Sequence, residues 1–311
     1  MIITDFDETV TDDDTIRILA KIPYEMGTGK DTLPEWSFFS ENYMKVYRQY
    51  IGTFKRSLPI IDCNGKYKLY DFNILIGNEI NYQEQLKSIE MKSIEKVMEY
   101  DVFKNITEEQ IIEFIKNYEF SNDKTIVNQS FNDFINSIIK RPDQNIEIII
   151  LSINWSKEFI YHAINNPHII KKDNIYCNNL LLTDDGTKYT GKFSCEVLTG
   201  SDKLLTLNKI IQNSDPKNNK MKFYVGDSET DLLSILHPNV NGVLMINPKD
   251  KQLAQFLKIA KDILNINQDI INSFIHDDEC TIIKCFQKGE SSEYCIYLAK
   301  SWDALYTIIH I

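Results

Sequence analysis

The chain lacks any long uninterrupted run of apolar residues. A membrane-spanning helix needs about 18 or more of them, and no segment of the 311 residues approaches that length, so we expect no membrane partner. Positive charge is also scarce, because 34 Lys and Arg face 45 Asp and Glu, for a formal net charge of −11. Nucleic-acid binders need a clustered basic face, and the one cationic cluster, at 215–220, is predicted to be a polar loop. We therefore expect no nucleic-acid partner and a small soluble substrate.

Metal-binding or redox pairs of cysteine are also missing. None of the six cysteines forms a CxxC pair or has zinc-site spacing, and the five histidines are scattered, so we expect them to be structural. Only four residues precede the first acidic motif at Asp5, which predicts no secretory signal ahead of it. Together these observations predict reduced cysteines and a cytosolic location, or one shared with the nucleus. The cysteines are Cys63, Cys177, Cys195, Cys280, Cys285 and Cys295.

Strand and helix signals alternate in the second half of the chain. Continuous apolar runs are typical of strands that are buried on both faces of a parallel sheet, and amphipathic segments between them predict helices. The sequence therefore predicts an α/β fold with a Rossmann-like, doubly wound parallel sheet. The predicted strands are residues 1–3, 146–151, 222–225 and 243–246, and the predicted helices are 128–140, 203–212 and 231–236.

A mostly helical stretch separates the first predicted strand from the others. Residues 35–57 and 82–100 have helical spacing, and Thr107 begins a third helix with a capping-box pattern. Because more than a hundred residues separate the first two strands, we predict an all-helical domain at 15–120. Residues 1–14 and 121–311 then form the core.

The remaining segments give weaker signals. Residues 175–182 and 189–195 flank Asp184-Asp185-Gly186, which predicts a hairpin. Near the end of the chain, 295–298 is predicted to be an edge strand and 301–310 a closing helix. The sequence does not indicate an oligomeric state.

Chemically reactive side chains follow the predicted strands. Asp5 and Asp7 are two residues apart behind the first strand, so they leave its carboxyl end together. Ser152 ends the second strand, Lys203 lies at a helix start, and residues 226–231, Gly-Asp-Ser-Glu-Thr-Asp, follow a later strand. Carboxylates bind Mg²⁺, Ser and Lys bind phosphoryl oxygens, and a carboxylate can become an aspartyl phosphate. The set predicts phosphoryl chemistry at this edge of the sheet.

These residues resemble the four motifs of the haloacid dehalogenase (HAD) superfamily of phosphatases. The segment 5–9, Asp-Phe-Asp-Glu-Thr, is similar to the first motif, DxDx[TV]. Ser152 and Lys203 resemble the second and third motifs, and 226–231 resembles the fourth, GDxxxD. The motifs occur in the order of the superfamily, and the helical insert behind the first one resembles its C1 cap.

The resemblance implies a Mg²⁺-dependent hydrolase of phosphate monoesters. It implies that Asp5 attacks phosphorus. It also implies that Asp7 gives a proton to the leaving alcohol and then takes a proton from water. Superfamily members that release halide or keep their phosphoenzyme carry no acid at the position of Asp7, so Asp7 favours a phosphatase. The implied phosphate-binding residues are Ser152, Lys203 and Thr9, and the implied metal-binding residues are Asp5, Asp7 (through its carbonyl), Asp227 and Asp231.

A closer likeness within the superfamily bears on the substrate. Residues 5–11, 151–156 and 226–233 resemble the HAD domain that is fused to TenA-like proteins in plants, and a standalone fungal group. That plant domain hydrolyses thiamine monophosphate, which is the first candidate substrate. A substrate like that of phosphoserine phosphatase, or another small metabolite phosphate, remains an alternative. Two other functions also remain alternatives, that of a phosphotransferase and that of a non-catalytic regulator.

Aromatic residues in the helical insert allow two interpretations. Phe39, Tyr43, Tyr47, Tyr50 and Phe54 recur at helical spacing, which predicts either packing inside the insert or a wall that stacks on a flat ring. Trp155, three residues beyond Ser152, is likewise predicted to pack in the core or to line the substrate pocket.

Overall fold

The computed structural model of the chain describes residues 1–27, 30–61, 69–140, 146–214, 221–246, 248, 253–288 and 293–309. The cationic cluster at 215–220 and Cys63 lie outside the described residues. Among the helices of the described residues, none is long and apolar enough to cross a membrane.

Within the described residues, seven strands form one sheet, in the order β3-β2-β1-β6-β7-β9-β8. All neighbours in it are parallel except β8 and β9. The connections run outward in both directions from β1 and β6, which confirms the predicted doubly wound α/β sheet. Ligands bind beyond the carboxyl ends of strands at such a reversal. The strands are β1 (Ile2–Thr4), β2 (Ile148–Leu151), β3 (Ile175–Tyr176), β4 (Asn179–Leu182), β5 (Tyr189–Ser194), β6 (Phe223–Gly226), β7 (Asn241–Met245), β8 (Ile282–Gln287) and β9 (Cys295–Ala299).

Helices cover both faces of the sheet. Alternate residues of each central strand point to opposite faces, so Ile2 and Ile148 pack in one apolar layer while Ile3 and Ile149 pack in the other. Helices α6, α7 and α12 contribute to the first layer, and α8, α9 and α11 to the second. The helices are α1 (Ile16–Leu19), α2 (Lys21–Met26), α3 (Trp36–Ile51), α4 (Leu69–Glu99), α5 (Glu108–Asn122), α6 (Gln129–Ile139), α7 (Lys157–Ile164), α8 (Gly200–Asn213), α9 (Leu232–Ile235), α10 (Leu253–Leu257), α11 (Gln268–His276) and α12 (Trp302–Ile309).

The segment predicted to be an insert contains α1 to α4 and most of α5. The capping box at Thr107 is present, with reciprocal bonds between Thr107 and Gln110. Helix α4 is longer than predicted, since it begins at Leu69, and α3 is shorter, since it ends at Ile51. The domain boundaries themselves stay a prediction.

Two predictions about strands need correction. The run 175–182 is divided between two sheets, because the buried Asn178 bonds the carbonyls of Ile153 and Val197 and turns the chain. Only its second part, β4, pairs with β5 in the hairpin. The run at 295–298 is not an edge strand, because the antiparallel β8 covers its outer side.

Candidate active site

The backbone of Asp5 extends the central strand β1. Its N–H donates to the carbonyl of Val225 at 2.9 Å, so the side chain emerges at the carboxyl ends of β1 and β6. Oδ2 of Asp5 lies 3.0 Å from Nζ of Lys203. Oδ1 is buried and has no hydrogen-bond partner among the described residues. Burial raises the pKa of Asp5 to about 7, although Lys203 opposes the shift.

Lys203 lies in the first turn of α8 and is completely buried. Its ammonium group contacts Asp5 and also donates to Oδ1 of Asp231 at 2.8 Å. Burial alone would lower the pKa of Lys203, but the two carboxylates raise it above its ordinary value. Lys203 therefore stays charged in the site at neutral pH.

Four donors hold Asp231. Besides Lys203, the hydroxyl of Tyr224 donates to Oδ1 at 2.7 Å. The N–H and the hydroxyl of Ser228 donate to Oδ2 at 3.1 and 2.8 Å. The backbone of Gly226 runs so close that a Cβ there would lie 2.3 Å from Cγ of Asp231. Glycine at this position allows the carboxylate to reach Lys203.

Asp227 lies between this cluster and the first motif. Its Oδ1 accepts the hydroxyl proton of Thr9 at 2.8 Å, and both residues are buried. Burial raises the pKa of Asp227 well above its ordinary value, and Asp231 and Asp5 raise it further. The hydroxyl of Thr9 is directed to Asp227, and phosphate binding by Thr9 stays a prediction.

The carboxylates of Asp5, Asp227 and Asp231 offer oxygen atoms that lie within 4.8 Å of one another. Among the described residues, the ammonium of Lys203 is the cation in ion-pair contact with this group. One positive charge does not balance three carboxylates, and Oδ1 of Asp5 has no hydrogen-bond partner among the described residues. A site with several carboxylate oxygens and an excess of negative charge suits Mg²⁺, because this ion prefers hard oxygen ligands.

Asp7 has a separate set of partners. Its Oδ1 accepts the N–H of Thr15 at 2.7 Å and also the hydroxyl of Thr15, and its Oδ2 accepts Nδ2 of Asn154 at 3.0 Å. Burial raises the pKa of Asp7 to about 6, while the bonds from Thr15 and Asn154 oppose the shift. A carboxyl group with this pKa can both give and take a proton near neutral pH.

Ser152 and Asn154 form the loop beyond β2. The N–H of Ser152 donates to the carbonyl of Tyr176 at 2.9 Å, and its hydroxyl accepts the N–H of Asn154 at 3.3 Å. Oδ1 of Asn154 in turn accepts the N–H of Trp155 at 2.7 Å. The motifs identify neither Thr15 nor Asn154, and the nearest signal is that Asn154 follows Ser152 by two residues.

A cavity of about 360 Å³ adjoins this loop. Trp36, Phe39 and Tyr43 from α3, Glu90 from α4, and Trp155 line it. The first residues of the predicted aromatic stripe therefore face a cavity together with Trp155.

Helix α4 contacts the third and fourth motifs directly. Oε1 of Gln83 accepts the N–H of Gly200 at 3.1 Å, and Nζ of Lys87 lies 2.7 Å from Oδ1 of Asp202. Arg56 precedes this helix and donates from Nε and Nη2 to the two oxygens of Glu79, at 2.8 Å each. Nη1 of Arg56 pairs with Glu229 in the fourth motif.

No protein-family model matches the chain. It is 24% identical to the mitochondrial bifunctional TH2 protein of Arabidopsis thaliana over 78% of this chain and 39% of that protein. A phosphoserine phosphohydrolase-like protein from Francisella tularensis has a similar structure, with a TM-score of 0.45, 15% identity and coverage of 99% of this chain and 98% of that one.

The predicted likeness to a bifunctional plant protein and to fungal relatives is confirmed. The chain is 37% identical to cold tolerance protein 1 of Saccharomyces cerevisiae, and the match covers 99% of this chain and 97% of the yeast protein. The chain therefore belongs to the family of cold tolerance protein 1.

Proposed function

We propose that this protein is a Mg²⁺-dependent hydrolase of phosphate monoesters, with Asp5 as its nucleophile and a small soluble metabolite as its substrate. One observation carries the proposal. Lys203 holds Oδ2 of Asp5 at 3.0 Å, while Oδ1 is buried without a hydrogen-bond partner among the described residues. A structural carboxylate would have both oxygens satisfied, whereas a nucleophile and metal ligand needs one oxygen available.

The two aspartates divide the chemistry. Asp5 attacks phosphorus, an Asp5–phosphorus bond forms, and the ester oxygen leaves with a proton from Asp7. Asp7 then takes a proton from the water that attacks the phosphoaspartate, and inorganic phosphate departs. Its pKa of about 6 suits this double role. Lys203 and Ser152 bind the phosphoryl oxygens and stabilise their charge.

The buried carboxylates fit a divalent cation that would neutralise the negative charge facing the phosphate. Asp5 and Asp227 are the side chains that we assign to it, together with the carbonyl of Asp7. Because donors occupy both oxygens of Asp231, we assign that residue to positioning Lys203. Thr9 positions Asp227 in the same way.

Thiamine monophosphate is the first substrate to test, because of the likeness to the plant domain. A panel with phosphoserine and other small metabolite phosphates covers the alternatives. We also propose a cytosolic location, which the free thiols of five described cysteines support.

The decisive assay measures phosphate release from p-nitrophenyl phosphate, with Mg²⁺ and with EDTA. We expect release with Mg²⁺ only, and its loss in Asp5→Asn. The exposed Asp262 provides the matched control, Asp262→Asn. Release that survives Asp5→Asn contradicts the mechanism. A phosphotransferase would release p-nitrophenol faster than phosphate when an acceptor alcohol is added, and a regulator would release neither.

A further inference from the structure

The cavity adjoins the residues that hold Asp7. Residues on both sides of Thr15 in the sequence line it, and so do residues on both sides of Asn154. In the part of the chain that the structure describes, the side chains of Thr15 and Asn154 bind the carboxylate of Asp7. The alcohol part of the ester must lie near the group that protonates it, so the cavity is in the right place to receive that part of the substrate.

Four aromatic side chains are among the residues that line the cavity. Trp36, Phe39 and Tyr43 lie on one face of α3, and Trp155 comes from the loop beyond β2. The ring centroids of Trp36 and Trp155 are 6.3 Å apart, with their planes at 68°. A cavity of about 150 Å³ already holds a benzene ring, so 360 Å³ has room for a ring with substituents.

Glu90 places a carboxylate among these rings. Its Oε1 accepts the hydroxyl proton of Tyr43 at 2.9 Å. In the described part of the chain, no basic side chain lies within ion-pair distance of Glu90. The other two charged residues of the lining, Asp14 and Arg17, pair with each other at 3.6 Å. When Glu90 is ionised, the cavity thus carries one negative charge that no ion pair among the described residues balances.

The environment of Glu90 disfavours the ionised form of its carboxyl group when no ligand is bound. Burial raises the pKa of Glu90 to about 7, and the bond from Tyr43 only partly opposes the shift. A cation that entered the cavity would stabilise the ionised carboxylate, and the faces of the surrounding rings would attract the same cation. A neutral or anionic ring would gain neither interaction.

We infer that the cavity selects phosphate esters whose leaving alcohol bears a positively charged aromatic group, and that Glu90 is the residue that recognises the charge. This inference rests on the proposed phosphatase activity. The ring packs against Trp36 and Trp155, and the charge lies against Glu90. Specificity then comes from the combination of one carboxylate with the aromatic side chains around it.

Two esters that differ only in charge test the inference, benzyl phosphate and 4-(aminomethyl)benzyl phosphate. We expect the wild type to favour the ammonium ester in kcat/KM by about tenfold, as for one charge-assisted hydrogen bond. Glu90→Gln should remove this preference, so that the two esters have similar kcat/KM values. Glu84→Gln, at an exposed position of the same helix, should keep the preference.

Binding of the product alcohols provides a measurement that needs no turnover. Quenching of Trp fluorescence should report tighter binding of 4-(aminomethyl)benzyl alcohol than of benzyl alcohol, and Glu90→Gln should abolish the difference. Equal binding of the two alcohols, or a difference that persists in Glu90→Gln, overturns the inference. Failure of the proposed function gives a distinct result, because neither ester is then hydrolysed or hydrolysis persists in Asp5→Asn.

Discussion

Nδ2 of Asn154 lies 3.0 Å from Oδ2 of Asp7, although 147 positions separate the two residues in the chain. They meet because β1 and β2 are parallel neighbours, with Ile2 opposite Ile148, so the loops beyond both strands leave the sheet side by side. Thr15 completes the contact through Nδ2 of Asn154 at 2.9 Å. The carboxylate of Asp7, the proposed proton shuttle, is thus bound by Asn154 from the loop beyond β2 as well as by Thr15.

The first prediction concerns Asn154→Ala. In the wild type the hydrogen bond from Asn154 lowers the pKa of Asp7. Without this bond the pKa should rise above about 6, and the pH optimum of the reaction should move upward. General acid–base catalysis contributes about 10²–10⁴-fold, and we expect a loss of about tenfold on benzyl phosphate at pH 7. The loss should be smaller on p-nitrophenyl phosphate, whose phenolate leaves without a proton. The measurement is a pH–rate profile on both esters.

The exposed Asn213 at the end of α8 provides the control, since Asn213→Ala should leave both profiles unchanged. Equal losses on the two esters with an unmoved optimum would show that Asn154 serves the fold and not the proton transfer.

A second prediction follows from the buried nucleophile. In the metal-free protein the pKa of Asp5 is raised to about 7, so the folded state binds more protons than the unfolded state between pH 4 and 7. The free energy of unfolding then falls as the pH rises through this window. Between pH 4 and pH 8 in EDTA, the wild type should therefore lose about 2–4 kcal/mol more stability than Asp5→Asn, which has no carboxyl group at this position. Urea unfolding at pH 4 and 8 measures the difference.

Magnesium provides the complementary test of the same residue. Mg²⁺ should stabilise the wild type at pH 8 and should stabilise Asp5→Asn less, because a ligand oxygen is lost. Asp262→Asn should follow the wild type at both pH values. An Asp5→Asn variant that loses as much stability as the wild type between pH 4 and pH 8 would refute the assignment of Asp5 as a carboxyl group with a raised pKa.

The sequence predicts the sheet well, because buried parallel strands are apolar runs. The residues of the four motifs follow these strands directly, so their common position at one edge of the sheet can be predicted as well. Prediction fails where partners are distant in the chain. Asn154 binding Asp7, and the hydroxyl of Thr9 bonding Asp227, depend on the lateral order of strands, which local patterns do not contain. Strand β8 escapes prediction because its residues are partly exposed and carry no continuous apolar run.

A third prediction concerns the contact between α4 and the fourth motif. Arg56 is nearly buried between Glu79 and Glu229, and Glu79 is 1% exposed. Arg56→Met would leave the carboxylate of Glu79 buried without its partner, which costs about 3–5 kcal/mol in comparable pairs. We expect a loss of stability of this order and faster amide hydrogen exchange in α4, with a raised KM.

An exposed ion pair offers the matched comparison. Lys104 and Asp101 form a contact with both side chains about half exposed, and such pairs contribute little, so Lys104→Met should leave stability and KM unchanged. A loss of stability in Arg56→Met without faster exchange in α4 would contradict the proposed link between this helix and the site.

The last prediction compares two glycines. A Cβ at Gly226 would lie 2.3 Å from Cγ of Asp231, so Gly226→Ala must displace that carboxylate and, with it, Lys203. Since Lys203 holds Asp5, phosphate release should fall by at least about 10²-fold, the loss typical of one misplaced charge-stabilising group.

Gly77, inside α4, provides the control, because an added Cβ there would have nothing within 4 Å. Gly77→Ala should therefore keep full activity and stabilise the protein by about 0.5–1 kcal/mol, through the higher helix propensity of alanine. Thermal unfolding and phosphate release, measured on both variants, separate the effects. Full activity in Gly226→Ala would mean that Asp231 does not position Lys203.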